Sequence, residues 1–221
     1  MDHDVFVFEG STTSLVTHFL FLPFLVLIQS VRQHALTLLT DMVLDRHGSC
    51  IPPLSLCEIM NSICIPIAGE RITDLLRIPR DARVDLEEIM IELELCISLL
   101  FKPFLHHLKN LVTLEQELLG IWISMLGIMT HLLGDDAAPV DAKDSNDDGI
   151  MTREKLFRVT KELGSEHLRN AVMVLIAMDV LTNDEGDEAQ PSQLSSATWA
   201  AIGSIGYCKP LIGEWKSSAQ C

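Results

Sequence analysis

DLEEIMIELELCISLLFKPFLHHL, residues Asp85–Leu108, is the longest periodic stretch of the chain and decides its fold class. Leu86, Ile89, Leu93, Ile97, Leu100, Phe104 and Leu108 recur every three or four residues, which places them on one face of a 3.6-residue helix. Glu88, Glu92, Lys102, His106 and Lys109 fall on the opposite side and read as a solvated stripe. Leu95 and Leu99 widen the apolar arc until almost two faces are covered. A helix apolar on two faces must lie between neighbours, so this one belongs inside a multi-helix stack. Asp85, Glu87 and Glu88 at its start and Lys109 near its end follow the helix dipole. Pro103 is expected to bend it, because the ring clashes with the Leu99 carbonyl and has no N–H to donate.

The flanking segments read the same way. Val31–Leu44 is amphipathic, with Val31, Ala35, Leu38, Leu39 and Met42 on its apolar side. Pro52-Pro53 suits a first helical turn and opens a helix over Leu54–Ile67, which Pro66 and Gly69 should close. Glu70–Arg83 is expected to give one helical turn and then a loop. Leu111–Leu133 places Leu114, Leu118, Ile121, Met125, Ile128 and Leu132 on one face, with Trp122 as a packing anchor. Thr152–Leu163, with Thr152 as N-cap, and Glu166–Leu181 read as two helices separated at Gly164. Thr198–Tyr207 is a weak last helix ended by Pro210, with Trp215 a few residues beyond.

This succession of helices predicts an all-α chain, an α-solenoid of degenerate helical repeats of the HEAT/armadillo or TPR kind. No strict period runs through it. The expected organisation is an apolar N-terminal segment over 1–30, a first helical-repeat part over 31–134, and an acidic linker over 135–151. A second repeat part covers 152–215, and 216–221 form a tail.

Composition agrees. Hydrophobic residues make up 48% of the 221 but aromatics only 5%, so the core is filled by Leu, Ile, Val and Met. A net charge of −15 argues against nucleic-acid binding and against attraction to anionic lipid. Much of it is concentrated in Asp135–Asp148 and Asp184–Glu188, which read as solvated loops.

Candidate chemistry is sparse. Cys50, Cys57, Cys64, Cys96, Cys208 and Cys221 contain no CxxC pair and read as free thiols of a reducing compartment. The seven-residue spacing of Cys50, Cys57 and Cys64, with His47 nearby, is conceivable as a zinc site but arises more simply from one helical face. His34, His106, His107 and His131 read as solvated or capping histidines, the adjacent His106 and His107 pointing away from one another. Asp144–Lys155 matches a calcium loop at Asp144, Asn146, Asp148 and Gly149, with Met151 apolar. Position twelve is Lys155, however, and Glu154 is one residue early, so the bidentate ligand is missing and the segment reads as an acidic flexible linker, with a weak calcium site as the alternative. Leu15–Ile28 is the one membrane or targeting candidate, but it is short for a span, interrupted by Pro23 and preceded by acidic residues. It therefore reads as a first helix buried in the solenoid, with membrane contact or sequence not native to the fold as alternatives. No phosphate loop, nucleophile elbow or dinucleotide fingerprint occurs, and no residue is assigned a catalytic, cofactor or metal role.

Four segments in order resemble the C-terminal region of the large Arf guanine-nucleotide exchange factors of the Golgi brefeldin-A-resistance and GNOM type. They are VRQHALTLLT (Val31–Thr40), CISLLFKPFLHHLKNLVTLEQELLGIWISMLGIMTHLL (Cys96–Leu133), EHLRNAVMVLIAMDVL (Glu166–Leu181) and Thr198-Trp199 through Pro210-Leu211. The third is similar to a family helix that ends in Gly-Val-Leu or Gly-Ile-Leu. Departures are Pro103, the acidic Asp135–Asp148 insertion and the sequence before Val31. The resemblance implies a non-catalytic helical-repeat region, because the exchange reaction belongs to a separate Sec-seven-type domain. It further implies membrane recruitment, regulation or partner binding in Golgi vesicle traffic, at the cytoplasmic face of Golgi or endosomal membranes. The partners would be proteins of the Arf exchange machinery and the Golgi membrane surface, with no cofactor. The alternative is an armadillo- or TPR-like adaptor unrelated to Arf.

Overall fold

A computed structural model describes residues 29–44, 51–77, 85–134, 153–181 and 192–218. Among them there are seven helices and no strand. Helix α1 spans 29–43. Helix α2 begins as Pro53–Ile59, passes through a π turn at Met60–Cys64 and continues as Ile65–Leu76. Helices α3 (Leu86–Leu111), α4 (Glu115–Leu133), α5 (Arg153–Ala177), α6 (Gln193–Ser204) and α7 (Ile212–Ser218) follow, with a 3₁₀ turn at Lys209–Leu211 before the last.

Packing alternates along the chain. The odd helices form one layer: α1 meets α3 through Arg32–Glu92 and His107–Val43, α3 packs on α5, and α5 on α7. The even helices α2, α4 and α6 form the other layer, and α2–α3, α3–α4 and α4–α5 contacts join the two. The main contacts among the described helices thus run between next or next-but-one neighbours, which is the local stacking that defines a helical-repeat solenoid. The core is correspondingly one continuous cluster from Leu36 to Trp215.

Helix α3 is the expected centre. Ile89, Leu93, Ile97, Leu100, Phe104 and Leu108 are buried, and so are Cys96, Leu99, Phe101 and Leu111 on the widened arc. The Asp85 side chain caps it by accepting from the Glu87 N–H at 2.9 Å, with Glu87 and Glu88 in the first turn and Lys109 in the last. The helix continues past a buried Pro103 to Leu111. In α4, Trp122 is fully buried and stacks on Phe104, ring centroids 5.3 Å apart. Its Nε1–H donates to Thr198 Oγ1 at 2.8 Å, tying α4 to α6.

Four readings of helix ends or faces are corrected. Pro66 and Gly69 do not close α2. The π turn just before Pro66 widens the backbone, and Ile65 N–H bonds to the Met60 carbonyl, which relieves the ring clash and lets the helix run to Leu76. Gly164 does not separate two helices either. It lies inside α5, where a Cβ would stand 2.8 Å from Leu132 Cδ2, so glycine permits α5 to approach α4 closely. Thr198–Tyr207 is not the last helix: α6 runs Gln193–Ser204, and past Pro210 the chain forms α7, which buries Trp215. Finally, α1 is rotated from its expected orientation. It buries Leu36, Thr40 and Val43, while Val31, Leu38 and Met42 are 60%, 49% and 69% exposed.

Helix α4 is the one described helix long and apolar enough to cross a bilayer. Eight of its residues, Trp122 among them, are buried in the core between the neighbouring helices. Leu15–Ile28, the Asp135–Asp148 linker and the Asp184–Glu188 loop lie outside the described residues, as does the calcium-like loop up to Thr152.

Candidate functional site

The charged feature of the fold is a cleft between α1 and α2, floored by α3. Its cavity of about 350 Å³ is lined by Arg32, Ala35, Leu36 and Leu39 of α1, by Ile67, Glu70, Arg71 and Asp74 of α2, and by Glu92 of α3. Local sequence explains the two walls. On α1 the lining residues are the partly covered flank of its apolar arc. On α2, Ile67, Glu70, Arg71 and Asp74 are spaced three and four apart and therefore share one helix side.

Glu92 is a correction to the sequence reading, which placed it on a solvated stripe. Its carboxylate is fully buried and is gripped by the Arg71 guanidinium, with Nε–H donating to Oε1 at 2.5 Å and an Nη2–H to Oε2 at 3.0 Å. Arg32 Nε stands 3.6 Å from the same Oε1. That is too long for a hydrogen bond, and this buried Nε has no hydrogen-bond partner among the described residues. The hydrogen bond and the charge of Glu92 hold the Arg71 pKa above its ordinary value, against the opposing effect of burial. Burial is tolerated because the fork geometry of a guanidinium satisfies both carboxylate oxygens at once. The signal in the sequence was the position itself: Glu92 lies between Ile89, Leu93 and Cys96 on the buried arc. Arg71, which lies 21 residues earlier, could not be paired with it from spacing.

The same acid affects its neighbour on the next turn. Burial pushes the Cys96 thiol up to about 12, with Glu92 adding to the rise and Arg71 opposing it. Burial likewise raises Cys64 and Cys208 to about 11 each, and raises Cys57. These four are buried free thiols held protonated, so they are poor nucleophiles and poor ligands. Cys50, Cys221 and His47 lie outside the described residues.

The histidines do not converge on one site. His34, His106 and His131 are exposed. His107 is buried instead, and its Nε2–H donates to the Val43 carbonyl at 2.7 Å, closing the last orphan turn of α1 against α3. The His106 and His107 rings, expected to point apart, meet edge to face with centroids 4.7 Å apart. Among the described residues no group of three His, Cys, Asp or Glu could hold a metal ion.

A second cavity, of about 270 Å³, lies where the α3–α4 turn meets the end of α5 and the start of α6. Val112, Glu115 and Leu119 line one side and Met178, Val180 and Gln193 the other. No charged pair is buried in it. The α1–α2 cleft is thus apolar on its α1 side apart from Arg32 and charged on its α2 side, with Glu70 and Asp74 beside the Arg71–Glu92 pair.

The comparisons place the chain by sequence. No curated protein matches it, and no solved structure does. The sequence model of one family, described as the GBF1-like tetratrico peptide repeat region, matches residues 25–206. The match spans α1 through α6, most of the chain and the helical core just described, and so this chain belongs to the GBF1-like tetratricopeptide repeat region family.

Proposed function

We propose that this chain is the non-catalytic helical-repeat region of an Arf-type guanine-nucleotide exchange factor. Its role is protein interaction, membrane recruitment or regulation during Golgi vesicle traffic, at the cytoplasmic surface of Golgi or endosomal membranes. The observation that carries the reading is the family match over residues 25–206. The two-layer helical stack supports it, because such stacks present long surfaces to partners rather than enclosed reaction centres. On this reading the chain loads no GTP itself, and exchange chemistry belongs to a separate domain.

Proximity labelling with the tagged chain in cells, followed by an in vitro nucleotide-exchange assay on Arf, tests it. The expected result is a labelled set dominated by Golgi trafficking proteins, with no acceleration of exchange by the purified chain. A labelled set unrelated to Golgi traffic would overturn the assignment in favour of a general adaptor.

A further inference from the structure

The cleft continues outward onto an exposed surface. On α1, Val31, Ala35, Leu38 and Met42 are spaced four, three and four residues apart, the seam spacing that lets one helix lie along another. All four are exposed, and the seam extends about 17 Å at 1.5 Å per residue. Ala35 also lines the cavity, so seam and cavity form one continuous groove. Its α1 wall is apolar except for Arg32, which is drawn toward the buried Glu92 carboxylate, Nε to Oε1 3.6 Å. Its opposite wall carries Glu70 and Asp74, both exposed. Arg71 is turned inward by its bidentate bond to Glu92 and reaches Asp74 only at 3.9 Å.

From this asymmetry we infer that the α1–α2 groove binds an amphipathic helix of a partner protein, about three turns long, with an apolar seam and a basic flank. The inference rests on the interaction-module reading above and names the chemistry of the partner. The apolar seam of the incoming helix covers Val31, Leu38 and Met42. Its Lys or Arg side chains reach Glu70 and Asp74. Charge disfavours the other occupants. Gly10–Val31 contains no charged residue, so the apolar Leu15–Ile28 segment would leave both carboxylates unanswered. A second copy of the chain brings another net charge of −15, and an anionic bilayer is repelled by the acidic wall.

The test uses the whole chain and two synthetic helical peptides with the same leucine seam, one with lysines and one with glutamates on the flank. Binding is read by fluorescence anisotropy at physiological salt. The lysine peptide should bind, and Glu70→Lys/Asp74→Lys should weaken it roughly tenfold or more and invert the preference toward the glutamate peptide. Leu38→Glu should weaken both peptides. Glu162→Lys/Glu166→Lys changes net charge equally on exposed α5 positions and should leave the affinity unchanged. Equal weakening by that control pair would overturn the inference, since attraction would then be to overall charge. So would displacement of the lysine peptide by a Leu15–Ile28 peptide, a dimer abolished by Leu38→Glu, or binding to neutral vesicles with the same variant dependence. An inverted preference with a labelled set unrelated to Golgi traffic would preserve the groove and remove the Arf assignment; the converse pattern would do the reverse.

Discussion

Replacing Arg71 should cost more stability than replacing Glu92, although the two form one ion pair. Glu92 has no exposed side-chain surface, whereas 23% of the Arg71 side chain and 42% of the Arg32 side chain are exposed. Arg71→Met therefore strands a carboxylate that water cannot reach, with only Arg32 at 3.6 Å to compensate. Removing one partner of a buried pair costs about 3–5 kcal/mol, and the upper half of that range applies here. Glu92→Met strands a guanidinium that can turn toward the cleft mouth and rehydrate, so about 1–3 kcal/mol is expected. The double variant leaves only Arg32, whose side chain is 42% exposed and can rehydrate, without its carboxylate, and should lie close to the wild type, since apolar replacement of a buried pair is often neutral. For a domain of this size each kcal/mol moves the melting temperature by about 2–4 °C, so Arg71→Met should fall by roughly 10 °C. Circular dichroism followed through urea and thermal unfolding reads all three variants in one double-mutant cycle. The reasoning is refuted if Glu92→Met proves the costlier substitution, or if the double variant loses as much as the two single ones added together.

Four further outcomes follow from other contacts. Thr198→Val removes the acceptor of the buried Trp122 Nε1–H and should destabilise by about 1–3 kcal/mol in denaturant titration; a neutral result would mean the α4–α6 bond is absent in solution. Gly164→Ala sets a helix-propensity gain of about 1 kcal/mol against a Cβ placed 2.8 Å from Leu132 and 3.1 Å from Met129. Overpacking should win by about 1 kcal/mol, and a raised unfolding midpoint would refute the close α4–α5 approach. Asp179, at φ 57° after α5, occupies the left-handed position that usually takes glycine. Asp179→Gly should therefore raise the unfolding free energy by about 0.5–1 kcal/mol. His167 stacks on Phe101, and burial, opposed by Glu166 and Glu94 and assisted by Lys102, lowers its pKa below 6.5. The unfolded chain then binds the proton more readily than the folded one, so the contribution to stability is complete above pH 6.5 and is lost as pH falls below it. His167→Gln should flatten that acid-side decline, and an unchanged pH profile would remove the burial effect.

The sequence alone determined the all-helical class, the central position of α3 and the anchoring role of Trp122. These are local properties: apolar spacing fixes which side of a helix is greasy wherever that helix is placed. Tertiary structure decided what locality cannot. Pro66 and Gly164 are helix breakers by intrinsic preference, yet a π turn and a close interhelical approach absorb them, because packing outweighs propensity at single positions. Glu92 looked solvated because a carboxylate is buried only when a cation is delivered to it, and Arg71 arrives from another helix. Helix α1 carries a broad apolar arc, but only its contact with α3 chose Leu36 and Val43 for the core. That choice left Val31, Leu38 and Met42 facing outward beside an acidic wall. Periodicity gives each helix its faces; which face remains for a partner is settled only when the neighbouring helices have taken theirs.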